Sequence, residues 1–345
     1  MQKTTLVSII LALWCLGASL TGFAATVRVN NTLATDPARK IYAGLQAAHD
    51  DGTNVAAGDT LLVEGTPLEY EGLTCTKRLV IIGPGYLLTQ NPQSQANSQS
   101  ARVKAIDFNA GSEGSVIIGL TFSNNSSLYG PSIRVNNIAV MRCYLTNGIK
   151  INASISNLVV VQNYLEKYGI EVNSSLYSFG GVILRNNIIA SPIAITQYTD
   201  APRVFAAVEH NVFLGNVTVS ANAFRNNIIA GKAATVAVTS GAIQNNLVSN
   251  NQLPTTNGNQ TYNETALFAG LAGAGNSTDG QYRLKPDSPY RTAGLNGVEP
   301  GAFGGSEPYV LSGVPAIPTI YDLQGESVGS KQNGLNVTIK ARTNQ

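Results

Sequence analysis

The sequence predicts an all-β fold in which a single chain winds into a coil of short stacked strands, a parallel β-helix. Three observations predict it. First, one phrase recurs six times between residues 138 and 250: a few apolar residues, a polar residue, a position that is nearly always Asn, and a large apolar residue. The copies are VMRCYL ending at Leu145, VVQNYL at Leu165, LRNNI at Ile188, EHNVF at Phe213, FRNNI at Ile228 and IQNNL at Leu247. Second, each of the first five copies is followed by a short segment of alternating apolar residues: Ile149/Ile151, Ile170/Val172, Ile193/Ile195, Val217/Val219 and Val236/Val238. Third, the repeat is rich in Val, Ile, Tyr and Asn and shows no helical period, which favours strands and excludes the helical repeat arrays.

The fixed column of the phrase reads Cys143, Asn163, Asn186, Asn211, Asn226 and Asn245, with steps of 20, 23, 25, 15 and 19 residues. A unit of that size cannot bury its apolar face alone and must stack on its neighbours. Asn suits a bend because it tolerates left-handed backbone angles and its amide both donates and accepts. A buried amide has to be paired, so the column is expected to lie inside the coil, each Asn bonded to the next and to bend carbonyls. Cys143 is compatible with that column because a buried thiol behaves as a small hydrophobe.

The pattern resembles the right-handed parallel β-helix, or pectin-lyase-like, superfamily over residues 55 to 305. Residues 44 to 73, GLQAAHDDGTNVAAGDTLLVEGTPLEYEGL, are similar to the entry of such proteins, where a short helix precedes a Gly-Asp-Thr turn and the first rung. Residues 282 to 305, YRLKPDSPYRTAGLNGVEPGAFGG, are similar to the closing motif of many secreted β-helix proteins. The resemblance implies a right-handed coil. It implies little about activity, because this fold carries lyases, hydrolases, adhesins and catalytically silent proteins.

Four segments follow in order. Residues 1–24 combine Lys3, an apolar run from Leu6 to Leu20 and the small residues Gly22 and Ala24, which predicts a secretory signal peptide cut after Ala24. The apolar run is shorter than the ~20 residues of a membrane span, so no span is expected after cleavage. Residues 25–54 hold a leading strand, TVRVNN, and an amphipathic helix from Ala38 to His49 that covers the open end of the coil. Residues 55–308 form the β-helix, with early strands at Thr60–Val63, Leu73–Thr76, Leu79–Ile82, Val103–Phe108 and Val116–Phe122, and an exposed loop at Gln90–Ser100. Residues 309–345 read as an extended linker with Pro315 and Pro318, then a final strand, LNVTIKAR.

Charge narrows the partners. Losing Lys3 with the leader leaves 21 basic against 20 acidic residues, a balance that calls for neither nucleic acid nor anionic membrane. Cys75 and Cys143 belong to different rungs, too far apart for the ~7 Å between Cα atoms that a disulfide allows, so two free thiols are expected. The destination is the cell surface, the periplasm or the medium.

Candidate chemistry falls on two outward stripes. Arg134, Lys150 and Glu171, followed by Ala194, Thr218 and Ala237, lie between the apolar pairs of the second strand. Successive rungs would set Arg, Lys and Glu ~5 Å apart, where a lyase could use Lys150 or Arg134 as base and where a salt-bridge ladder would look the same. The other stripe runs Arg142, Gln162, Arg185, His210, Arg225 and Gln244, types that hydrogen-bond sugar hydroxyls and carboxylates at a rise suited to a linear polymer. Tyr144 and Tyr164 should stack beside it outside the coil as a sugar platform. His210 occupies a repeat position filled elsewhere by Arg or Gln, and His49 sits at the end of the capping helix as a structural residue.

The acids of the regular repeat, Glu166, Glu171, Asp200 and Glu209, fall at different phases of the coil, and no Asp-Asp pair, Asn-Thr-Asp or Gly-His-Gly signature is present. Glycosidase chemistry with paired carboxylates is therefore not expected. No zinc spacing, phosphate loop or nucleophile elbow occurs, and no metal or cofactor is expected. The expected function is an exported, non-catalytic β-helix that binds extracellular or cell-surface polysaccharide or serves as an adhesive module. The alternatives are a polysaccharide lyase acting on uronate-containing glycans and a purely structural surface protein.

Overall fold

The structure is a computed structural model that describes residues 24–91, 93–122, 130–231, 234–270, 276–326, 329, 332 and 334–343. The leader expected at residues 1–24 lies, Ala24 apart, outside the described residues. The rest is all-β: a parallel β-solenoid of about eight turns with a short helix near its N-terminus.

Each regular turn visits three sheets. The turn that begins at Ala139–Met141 in the first sheet passes a bend at Arg142 and Cys143 into Tyr144–Leu145 of the second, then a corner at Gly148 into Ile149–Ile151 of the third. All pairings between turns are parallel; for example Val140 lies between Ile117 and Val160. Farther along, the first and third faces merge into the nine-residue strands Val217–Arg225 and Val236–Gln244. The expected alternating pairs stack as expected, Ile149 on Ile170, Ile193 on Val217 and Val217 on Val236.

Inward side chains form continuous columns. Val140, Val160, Leu184, Val208 and Phe224 line the first sheet, and Leu145, Leu165, Ile189, Phe213 and Ile229 the second, all at 0–1% exposure. Burying one such side chain is worth about 1.5–3 kcal/mol, so a coil with so few charges holds together by repetition of the same small gain. Cys75 and Cys143 are both free and buried in this core, as expected.

The Asn column lies inside, but with a different membership. Its members are Asn163, Asn187, Asn211, Asn227, Asn246 and Asn259, with Cys143 beneath them. Each backbone N–H donates to the side-chain oxygen one turn on: Asn163 to Asn187 at 2.9 Å, Asn187 to Asn211 at 3.0 Å, Asn211 to Asn227 at 3.0 Å, Asn227 to Asn246 at 2.9 Å and Asn246 to Asn259 at 3.0 Å. From Asn163 to Asn246 each side-chain amide donates to the same oxygen and back to a carbonyl of the preceding turn, as Asn187 Nδ2 does to Asn211 Oδ1 at 3.0 Å and to Val160 O at 2.9 Å. Cys143 Sγ takes the matching place beside Met141 O, where its thiol ends the ladder.

Asn186, Asn226 and Asn245 therefore stand one residue before the ladder, at φ of 52°, 56° and 53°. The misassignment has a physical cause. Three copies carry Asn-Asn, and the strand that follows is apolar on both faces, so period-two spacing cannot say which Asn points inward. Pairing decides it, because Ile188 lies on Tyr164 and Ile189 on Leu165.

The helix, α1, is shorter than expected, Leu45–Asp50 rather than Ala38–His49. Ile41–Tyr42 instead pairs with Arg28–Val29 as an edge strand, and Lys40 at φ 55° breaks any helix before it. His49 is buried at its end, its Nε2 accepting from Thr76 N at 3.0 Å, a structural link between helix and coil.

The last strand of the coil is Gln260–Thr261. From there the chain turns back, and residues 276–314 form an irregular strap over the outside of the second sheet, with Asp279 and Ser312 together at one end and Ala293 beside Asn245 at the other. Beyond it, Pro318–Gly325 and Val337–Thr343 form an antiparallel hairpin.

Candidate functional site

The strap covers one of the two expected stripes. The second sheet is apolar on its outer face as well: Tyr164, Ile188, Val212, Ile228 and Leu247 pack with Tyr86 and with Leu284, Ala302 and Tyr309 of the strap. Gly301 shows how close the approach is, since a Cβ there would lie 2.6 Å from Ile228 Cδ1 and the residue sits at φ 81°.

The column at the bend hydrogen-bonds this strap turn by turn. Asn245 Nδ2 donates to Ala293 O at 3.1 Å, and Asn226 Oδ1 accepts from Leu295 N at 2.7 Å. Asn186 Nδ2 donates to Ala302 O and Gly304 O at 2.9 and 2.8 Å, Gln162 Nε2 to Pro308 O at 2.7 Å, and Arg142 Nη1 to Val314 O at 2.9 Å. The extended polymer seated on Arg142 and Gln162 is thus the protein's own backbone.

The remaining members of that stripe separate by register. Arg185 and Arg225 stand one position before the bend column and share the buried carboxylate of Glu209, Arg185 Nη2 at 2.9 Å from Oε2 and Arg225 Nε on Oε1. His210 is in the bend column, packed against Gly305, with Asn226 Nδ2 3.0 Å from its Nε2 and no partner at Nδ1 among the described residues. Burial pushes its pKa below the usual value, against the pull of Glu209. Tyr144 and Tyr164 do stack, with ring centroids 5.2 Å apart and planes 13° off parallel, but inside the strap's apolar seam. Burial raises the pKa of both phenols.

A fully buried carboxylate locks the lower end of the strap. Asp279 accepts from Ser312 N and Ser277 Oγ at 2.7 Å each and from Asn91 Nδ2 at 3.1 Å, beside the paired hydroxyls of Tyr86 and Tyr309. Nothing local in the sequence signals this knot, since its partners lie up to 223 residues apart.

The other stripe remains at the surface of the third sheet. Lys150 is paired in register with Glu171, and both line a concavity of about 530 Å³ with Lys167, Tyr168, Asn173 and Ser191. Arg134 does not join them. The residue in register with Lys150 is Ser132, and Arg134, two residues on, is ion-paired with Asp107 at 2.9 Å.

The corner chemistry builds the concavity. Gly148, at φ 70°, turns the chain from the second sheet to the third so tightly that a Cβ would lie 2.1 Å from Gly169 O. Lys167 and Tyr168 stand exposed at the corner beside it, Tyr168 at 49%. In the wall, the buried hydroxyl of Ser191 has no hydrogen-bond partner among the described residues. Sequence reasoning picks out Lys150 and Glu171 by spacing and Tyr168 as an aromatic on a nearby loop, but misses Lys167 and Ser191, which sit on corners where no periodicity points.

Chemically the site offers two cations, one carboxylate, an aromatic face and amide and hydroxyl groups on a rigid strand floor. Among the described residues no group of three or more His, Cys, Asp or Glu side chains could hold a metal ion. Nor is any helix among them long and apolar enough to cross a membrane. Comparison with protein-family models, curated proteins and solved structures finds no match for this chain.

Proposed function

We propose that this chain is an exported β-helix of the pectin-lyase-like kind that binds an acidic extracellular polysaccharide, without cleaving it, on the third-sheet face. One observation carries the proposal: Lys150, Lys167, Tyr168, Glu171 and Ser191 surround a single concavity. Lysines attract the carboxylates of a uronate chain, and an exposed Tyr ring can stack on a sugar. The leader-like composition of residues 1–24 supports export.

The test is binding to immobilised polygalacturonate and alginate, with neutral glucan as control. Retention on the acidic glycans, weakened by salt and lowered about tenfold in Lys150→Ala/Lys167→Ala, is expected; a tenfold loss corresponds to about 1.4 kcal/mol. Equal retention by the double variant would remove this face from consideration. Unsaturated uronate ends appearing during incubation, and disappearing in Lys150→Ala, would replace binding by lyase action.

A further inference from the structure

The start of the first strand meets the coil at one carboxylate. Thr26 pairs with Thr60, and Ala25 O accepts from Thr60 N at 2.8 Å, so the strand holds Ala25 in a defined place. Ala25 N is 2.7 Å from Asp59 Oδ1, and Asp59 Oδ2 accepts from Ala56 N at 2.8 Å. Asp59 is 5% exposed. A recess of about 320 Å³ opens beside this contact, lined by Ala24, Ala25, Asn54, Gly58, Asp59 and Arg78.

Asp59 accepts two neutral backbone N–H groups, from Ala25 and Ala56, and the Arg78 guanidinium lines the same recess. A buried carboxylate is far better matched by a cation. The small residues Gly22 and Ala24 precede Ala25 at the spacing a leader peptidase reads.

We infer that Asp59 is the receptor for the α-ammonium group created when the leader is removed between Ala24 and Ala25. A leader peptidase uses water to break the Ala24 C–Ala25 N bond. The hydroxyl goes to the Ala24 carbonyl carbon, the hydrogen goes to Ala25 N, and a further proton from solvent makes the ammonium. The recess gives the other two N–H groups of that ammonium room for water. Processing thereby converts a neutral hydrogen bond at the open end of the coil into an ion pair and fixes the first strand on the second. The inference rests on the export reading and is independent of glycan binding.

The full chain, expressed in a bacterial host with a general secretion route, is recovered from outside the cytoplasm, and its N-terminus is determined by sequencing and intact mass. Ala25 is the expected first residue. The α-amine, labelled by reductive ¹³C-methylation, is expected to titrate above its ordinary ~7.7–8.0 and to return to that range in Asp59→Asn. A cytoplasmic chain that keeps Gly22, Phe23 and Ala24 covers the case in which Asp59→Asn fails to fold. The processed chain should melt higher by about 2 °C, and the gap should close at a pH where the amine is neutral. An N-terminus other than Ala25, or an amine that titrates in the ordinary range in the wild-type chain, overturns the inference. A cut chain with an ordinary amine leaves export intact, whereas an uncut chain retained in the cytoplasm removes export as well; glycan retention is read separately on the same material.

Discussion

Replacing Asn187 with Leu tests whether the ladder holds the coil together. The two side chains share the same branching and number of heavy atoms, so the change removes hydrogen bonds while leaving little cavity. Asn187 Oδ1 accepts from the backbone N–H of Asn163 at 2.9 Å and from its amide at 3.1 Å, and Asn187 Nδ2 donates to Val160 O and Arg185 O. All of this happens at 0% exposure, where water cannot substitute. The Asn163 N–H is left bare, at about 1–3 kcal/mol, and four further groups, Asn163 Nδ2, Val160 O, Arg185 O and Asn211 Oδ1, each lose one of their bonds; a total of about 3 kcal/mol follows. Urea unfolding should show that loss as a lower midpoint with an unchanged slope. A second variant sharpens the result. Asn211→Leu alone strips the acceptor from both Asn187 N and Asn187 Nδ2, but in the double variant that Nδ2 no longer exists, so the two losses should sum to about 1 kcal/mol less than additivity. A single change below about 0.5 kcal/mol, or strict additivity, would refute the view that the amides act as a connected network.

Further outcomes follow from the strap and the core. Asp279→Ala orphans Ser312 N and takes one partner each from Ser277 Oγ and Asn91 Nδ2, and should cost about 3 kcal/mol and open residues 276–314 to limited proteolysis while the coil's strand signal in circular dichroism persists. His210 has a folded pKa depressed by burial, so the unfolded chain takes up the proton first. Stability is full above the unfolded value of ~6.5 and falls as pH drops from there toward the folded value, a slope that thermal melts should find reduced in His210→Asn. Cys143, its thiol pushed up to about 12 by burial, should label with a thiol reagent only at the rate of unfolding, and faster labelling in native buffer would show that the end of the ladder opens on its own. Gly148→Ala should cost more than ~1 kcal/mol through its φ and its contact with Gly169 O, and the proposed glycan binding requires that it also weaken retention.

Much of the coil is legible in the sequence, and for a definite reason. A solenoid repeats its environment, so Val140, Val160, Leu184 and Val208 see the same neighbours and the pattern accumulates over turns. The pairs Ile188–Ile189, Ile228–Ile229 and Leu247–Val248 carry a further message that alternation alone hides. Two consecutive buried residues in a strand mean that both faces are covered, and hence that something lies outside the second sheet. That is why the Asn register slips by one in three turns and why Tyr144 and Tyr164 read as exposed. The strap itself is irregular, without strand or helix period, and bonds to residues more than 100 positions away, as Asn186 does to Ala302 across 116. No local rule reaches that far. At the third sheet, periodicity places Lys150 and Glu171 together, while Arg134 goes astray because a corner residue more or less changes which side chain comes into register.

The strap also sets an order of events in biogenesis. The turns of the coil can form one upon another as the chain emerges, because each needs only the turn before it. The outer strip of Ile188, Val212, Ile228 and Leu247 has no such neighbour until residues 284 to 309 arrive. In the interval it is a bare, sticky seam on an otherwise finished body, and chains that stop before that stretch should cling to one another or to chaperones. Completion of this protein is thus a sealing step, made by a stretch that emerges only after every turn of the coil.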